Sequence, residues 1–129
     1  MLAHCHNIIV SSPVAVDSAI FIARKQWIVA GGDCVIYVYS DDLTNKIHEL
    51  REPSGSVNSL ALHPFEPYLL SGVADQKIIM RDYEKDWEII KVFEVSDCLY
   101  MWHVAFYNSM GTQFVATTAK HIKVLARTT

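Results

Sequence analysis

Six histidines, three cysteines and fourteen carboxylates are the side chains of this 129-residue chain best suited to acid–base, nucleophilic or metal chemistry. His4-Cys5-His6 are all competent ligands for a soft metal. In an extended segment, however, His4 and His6 share one face and Cys5 takes the other. No second cluster supplies further ligands, so the tripeptide reads as a terminal segment and no metal is expected. His63 follows a short apolar run in Leu62-His63-Pro64, where a turn or capping role fits better than a general base. Cys34 and Cys98 have no neighbouring His or basic residue to lower a thiol pKa, so both are expected to be buried and inert. His103 and His121 fall in strand-like runs, as core or ladder positions. Asp41-Asp42 sits in a turn without a convergent partner for acid–base work. Trp27 and Trp102 suit apolar packing, whereas Trp87 falls in a turn and is expected to be the exposed one. Phosphate loops, metal-protease helices and nucleophile elbows are missing from the sequence. No catalytic residue and no cofactor is therefore expected, and a small all-β enzyme is the least supported reading.

Hydrophobic residues make up 51% of the chain and charged residues 19%, which excludes intrinsic disorder. The net charge of −3 argues against a nucleic-acid binder with a basic face, which would be far more basic, and gives no bulk attraction to an anionic membrane. An odd cysteine count argues against a disulfide framework and for a reducing compartment. No apolar run approaches a membrane span, and Met1–Val10 lacks the charged start and apolar stretch of a signal peptide. The expected location is cytoplasmic, with at most peripheral contact with a membrane.

The elements that must position these residues are strands. Apolar runs rich in Val, Ile, Tyr and Phe alternate with turn clusters such as Gly31-Gly32-Asp33, Glu52-Pro53-Ser54-Gly55-Ser56 and His63-Pro64-Phe65-Glu66-Pro67. Strands are expected at 18–22, 27–31, 35–39 and 46–50, then at 57–62, 68–72, 77–82 and 89–94. A third group, 100–107, 113–118 and 122–126, lacks its fourth member. Residues 8–10 would be the last strand of an earlier group.

The groups repeat. Ile36, Ile78 and Ile122 occupy the same place in the third strand of each, at spacings of 42 and 44 residues. Four strands per 40–45 residues is the pattern of WD-repeat propeller blades, whose sheets cannot bury both faces alone. The expected fold is thus all-β: one partial propeller domain over residues 1–129, with blades near 14–52, 53–95 and 96–127. Asp33 and Asp75 precede the third strands of the first two blades as structural positions, and Asp82 is the D of the Trp-Asp pair. The Trp itself is replaced by Tyr39, Arg81 and Leu125, and the His that opens a blade by Pro53 and Ser96. The third blade reads Thr118-Ala119-Lys120-His121 where its tight-turn Asp belongs. Each lost partner in such a buried network costs about 1–3 kcal/mol.

Phe21-Ile22-Ala23-Arg24-Lys25-Gln26-Trp27-Ile28-Val29 resembles the second blade of the first propeller of the coatomer beta-prime subunit family. Leu60-Ala61-Leu62-His63-Pro64, Glu66-Pro67-Tyr68-Leu69-Leu70-Ser71-Gly72, Asp86-Trp87 and Val92-Phe93-Glu94 resemble its third blade. Gln113-Phe114 and Ile122-Lys123-Val124 resemble its fourth. The resemblance runs from about Pro13 to Arg127; its first stretch is the most specific, and the third-blade residues fit many WD-repeat proteins. It implies a non-enzymatic protein-interaction scaffold of a vesicle coat, in transport between Golgi and endoplasmic reticulum, with other coatomer subunits as partners. That family's first propeller reads dilysine cargo signals. Its basic position falls on Asp17, and its acidic positions fall near Gly55 and on Ala74, with the neighbouring Asp75 kept; the cargo site is not expected to be preserved. A decayed duplicate without dedicated activity, and a WD-repeat adaptor outside the coat, are the alternatives. Three blades do not close a ring. A homodimer closing a six-bladed ring would cover both open faces.

Overall fold

The computed structural model describes residues 15–53, 55–74, 76–95, 101–106, 113–118 and 122–126. These form three antiparallel sheets in chain order. The first holds β1 (Val16–Ile22), β2 (Trp27–Gly32), β3 (Val35–Ser40) and β4 (Lys46–Arg51). The second holds β5 (Val57–Leu62), β6 (Tyr68–Val73), β7 (Lys77–Asp82) and β8 (Glu88–Glu94). The third holds β9 (Met101–Phe106), β10 (Gln113–Thr118) and β11 (Ile122–Ala126), with β11 at its edge. Each is a meander of sequential neighbours, the order that short turns between alternating apolar runs impose. The expected strands are present, several longer by a residue or two: β1 begins at Val16 and β6 runs on to Val73. The segment 8–10 lies outside the described residues.

The innermost strands β1, β5 and β9 stand side by side, so the sheets pack face to face as successive blades. β7 shows why. Ile78 and Met80 join Leu70, Val95, Val104, Phe114 and Ala116 in one core, between blades two and three. Leu69, which pairs with Arg81 on the opposite face, joins Ile22, Val29, Ile36, Val38, Val57, Leu60, Tyr83 and Trp87 in another, between blades one and two. Because side chains alternate along a strand, a blade with apolar residues on both faces needs a neighbour on each. The middle blade has both. Ile36 and Ile78 are fully buried, whereas Ile122 at the same repeat position is 78% exposed. The sequence pattern is the same in all three; the covering neighbour is not.

Blades one and two approach each other closely at Gly31. A Cβ there would stand 2.7 Å from Val57 Cγ1 and 3.1 Å from the Val57 carbonyl oxygen. Gly31→Ala is therefore expected to cost about 1–3 kcal/mol by overpacking this seam. Urea denaturation would show a lower midpoint with an unchanged slope; an unchanged midpoint would mean that the blades do not meet here.

Candidate interaction site between the first two blades

Antiparallel order puts the β1–β2, β3–β4, β5–β6 and β7–β8 turns on one rim of the blades. The β2–β3 and β6–β7 turns and the β4–β5 linker lie on the other. The second rim is stapled by backbone bonds: Glu52 N–H donates to the Cys34 carbonyl (2.9 Å) and Ala74 N–H to the Ser56 carbonyl (2.9 Å). Asp33 Oδ1 accepts from Ser56 Oγ at 3.1 Å and from the Cys34 thiol at 3.6 Å. Asp82 is buried at the end of β7, and its Oδ1 accepts from Glu84 N–H at 2.9 Å, closing the next turn. Asp75 lies outside the described residues.

Arg81, at the position of the repeat's Trp, reaches Glu52 beside the missing His. Their side chains meet at 3.2 Å and both are buried. Arg81 Nη1 has no hydrogen-bond partner among the described residues. The two departures from the repeat thus compensate each other, linking the β4–β5 linker to β7. Composition and spacing gave no sign of this pair; its one trace is opposite charge at two positions where the repeat calls for neither.

A pocket of about 280 Å³ opens on the first rim, between blades one and two. Phe21, Ala23 and Arg24 line one side; Leu62, His63, Pro64 and Tyr83 line the other. Arg24 spans it: Nη2 donates to the Phe65 carbonyl at 2.6 Å and Nη1 lies 3.7 Å from Glu84. Lys25 adds a second contact to Glu84 at 3.8 Å. Burial pushes the Tyr83 phenol above its usual pKa, so it stays a neutral donor at physiological pH. The arrangement has an apolar floor and a rim of cations and one carboxylate, which suits a peptide side chain; it has no nucleophile–base pair.

His63 has the turn role its neighbours indicate. Its ring is buried and Nδ1 accepts from Phe65 N–H (3.2 Å) and Glu66 N–H (2.8 Å), while the ring meets Phe65, Tyr68 and Phe106 edge-on. Asp41 and Asp42 lie in the β3–β4 turn, where Asp42 accepts from Ser40 Oγ (2.7 Å), Thr44 Oγ1 (2.7 Å) and Thr44 N–H (3.0 Å).

Two expectations are corrected. Trp87 is buried rather than exposed: Asp86 and Trp87 both take positive φ (53° and 58°), folding the indole back to stack on Trp27 at 5.9 Å. Cys34 is exposed rather than buried, because it occupies the left-handed position (φ 59°) of the β2–β3 turn. Partial desolvation and the adjacent Asp33 carboxylate raise its thiol pKa, so it is a poor nucleophile as expected. Trp27 is half-buried and packs against the seam core. His103 lies in β9 at an exposed position, with Nδ1 3.2 Å from Ser59 Oγ, which also accepts from Val104 N–H. His4, Cys5, His6, Cys98 and His121, and the side chain of Trp102, fall outside the described residues. Among the described residues no three His, Cys, Asp or Glu side chains gather as a metal site, and no helix is long and apolar enough to cross a membrane.

The WD40 family (WD domain, G-beta repeat) matches residues 44–82, from the last strand of blade one through β7. Solved structures of similar fold include the WD40 repeats of RRP9, at TM-score 0.78 and 18% identity over 93% of this chain and 38% of that one. U3-55K matches at TM-score 0.77 and 19% identity over 93% and 38%, and a chain of the mitotic checkpoint complex at 0.75 and 14% over 91% and 35%. No curated protein sequence matches the chain. The chain spans well under half the length of these structural relatives, and its three sheets share in part their β-propeller fold.

Removing one member of the buried pair, by Glu52→Ala or Arg81→Ala, is expected to cost about 3–5 kcal/mol, because the other charge is left buried. The apolar double variant Glu52→Leu/Arg81→Met should recover most of that loss in urea denaturation. The hydrogen bonds from Thr44 and Ser40 lower the Asp42 carboxyl to a pKa of about 2. Its support of the turn is then complete above the ordinary carboxylate range and lost as pH falls through about 2; carbon-detected NMR titration of Asp42 would show this.

Proposed function

We propose that the chain is a non-enzymatic WD-repeat interaction scaffold, and in finer form a piece of a vesicle-coat protein of the coatomer beta-prime type. The observation that carries the coat reading is where the resemblance falls. Phe21, Ala23 and Arg24, from its most specific stretch, and Leu62, His63 and Pro64, from the next, face each other across one pocket. Of these, Phe21, Ala23, Arg24 and Pro64 are exposed, so core packing does not account for their identity. On this reading the partners are other coatomer subunits, met on the cytoplasmic side of a Golgi-derived vesicle. Dilysine cargo tails are not ligands, since Asp17 and Ala74 stand where that site needs a cation and an acid.

The faces of blades one and three, which have no neighbouring blade among the described residues, favour a protein partner for structural reasons too. Ile122 and Val124 of blade three are exposed, and an apolar surface of this kind is covered in a stable assembly. Pairing of two copies is the simplest cover. Light scattering would then give twice 14.6 kDa in a sharp peak, whereas an expanded monomer would mean that a different chain supplies it.

The coat reading is tested by presenting immobilised chain to purified coatomer subunits one at a time. At least one should bind with micromolar affinity, and Arg24→Glu should weaken it by about tenfold, or 1.4 kcal/mol. If no subunit binds, the coat reading falls and the adaptor outside the coat, or the decayed duplicate, takes its place.

A further inference from the structure

We propose that the pocket between the first two blades takes a proline-rich segment of a partner protein, in the extended polyproline conformation. The inference rests on the pocket being the interaction site; it does not need the partner to be a coatomer subunit. A volume of about 280 Å³ falls just below the roughly 300–1,000 Å³ of small-molecule and cofactor sites, so a short piece of chain fits it better.

The hydrogen-bonding groups of the walls choose the occupant. Tyr83 lines the pocket and is 5% exposed, and its hydroxyl has no hydrogen-bond partner among the described residues. Burial raises its pKa first of all, and the Arg24 and Glu84 charges act on it too, which sets the hydroxyl on the Arg24 side of the pocket. A ligand carbonyl would supply the acceptor that this donor lacks. The walls offer little to a ligand N–H in return. The Ile22 and Ala23 carbonyls accept from Lys25 N–H and Gln26 N–H, both at 3.2 Å, and Gln26 Nε2 adds a bond to Ala23 at 2.7 Å. The Phe65 carbonyl accepts from Arg24, and His63 Nδ1 from two backbone N–H groups of its own turn. An N–H buried against these engaged groups would go unpaired. Proline brings a carbonyl acceptor and no N–H.

Charge does not favour a different occupant. Arg24 is held between the Phe65 carbonyl (2.6 Å) and Glu84 (3.7 Å), and Lys25 shares Glu84 at 3.8 Å. An acidic segment would have to break this bridge, and a basic one would meet both cations. The apolar surface suits pyrrolidine rings: Phe21 and the neighbouring Phe65 are 48% and 49% exposed, and Pro64 between their turns is exposed as well. Grooves lined by aromatic residues dock polyproline helices, which are already extended when free and so lose little entropy on binding.

The test titrates the whole chain, nitrogen-15 labelled, with three blocked six-residue peptides. One is all proline, one alternates leucine with serine, and one alternates leucine with glutamate. The proline peptide should shift the Ala23, Arg24, Leu62 and Tyr83 amides and bind at least about tenfold more tightly than either other peptide. Tyr83→Phe removes a hydroxyl that has no partner among the described residues, so the urea midpoint should not fall. It should weaken proline binding about fivefold, the worth of one neutral hydrogen bond. Equal or tighter binding of a leucine peptide, no binding of the proline peptide, shifts that miss the pocket, or unchanged binding by Tyr83→Phe would each overturn the proposal. The coat reading fails separately. A coatomer subunit that binds while the proline peptide does not leaves that reading standing and overturns this one; proline binding without any subunit does the reverse.

Discussion

A four-stranded sheet with apolar residues on both faces cannot be stable alone, and everything else in this structure follows from that. Alternation along β7 sends Ile78 and Met80 to one core and Ile79 and Arg81 to the opposite face. Blades must therefore stack, and stacking needs close approach at the seam. Gly31 provides it where a Cβ would stand 2.7 Å from the Val57 Cγ1 methyl. The backbone staples between Glu52 and Cys34, and between Ala74 and Ser56, hold the linker against both sheets. The middle blade, covered on both sides, is the centre of the arrangement.

The seam between blades one and two also explains how the chain tolerates the loss of its repeat's polar residues. Arg81 at the Trp position would leave a buried charge, costly unless paired. Glu52 supplies the pair from the linker. On the other rim His63 does comparable work by local means, satisfying two backbone N–H groups of its own turn. The pocket beside it arises because three turns from two blades end together, with Arg24 bridging them.

Much of the fold was legible. Short alternating runs bounded by turn residues mark the strands, and the 42- and 44-residue spacing of Ile36, Ile78 and Ile122 marks the blades. The failures have a common cause, which is backbone conformation inside turns. Nothing in Asp86-Trp87 announces two successive left-handed residues that swing an indole into the core. Cys34 is a residue type usually buried, but its left-handed turn position holds it outside. The Glu52–Arg81 pair is separated by 29 residues and is visible only as two charges where the repeat has none. The pocket was legible as residues and not as a site, because pattern along a chain does not show which turns share a rim.

Hydrogen exchange across the whole chain tests the central claim, that burial of both blade faces holds the fold together. The account predicts the slowest exchange in β6 and β7, slower by orders of magnitude than β1 and β11, because among the described residues only the middle blade is covered on both sides. Equal protection across the three blades, or faster exchange in β6 and β7 than in β1, would contradict it.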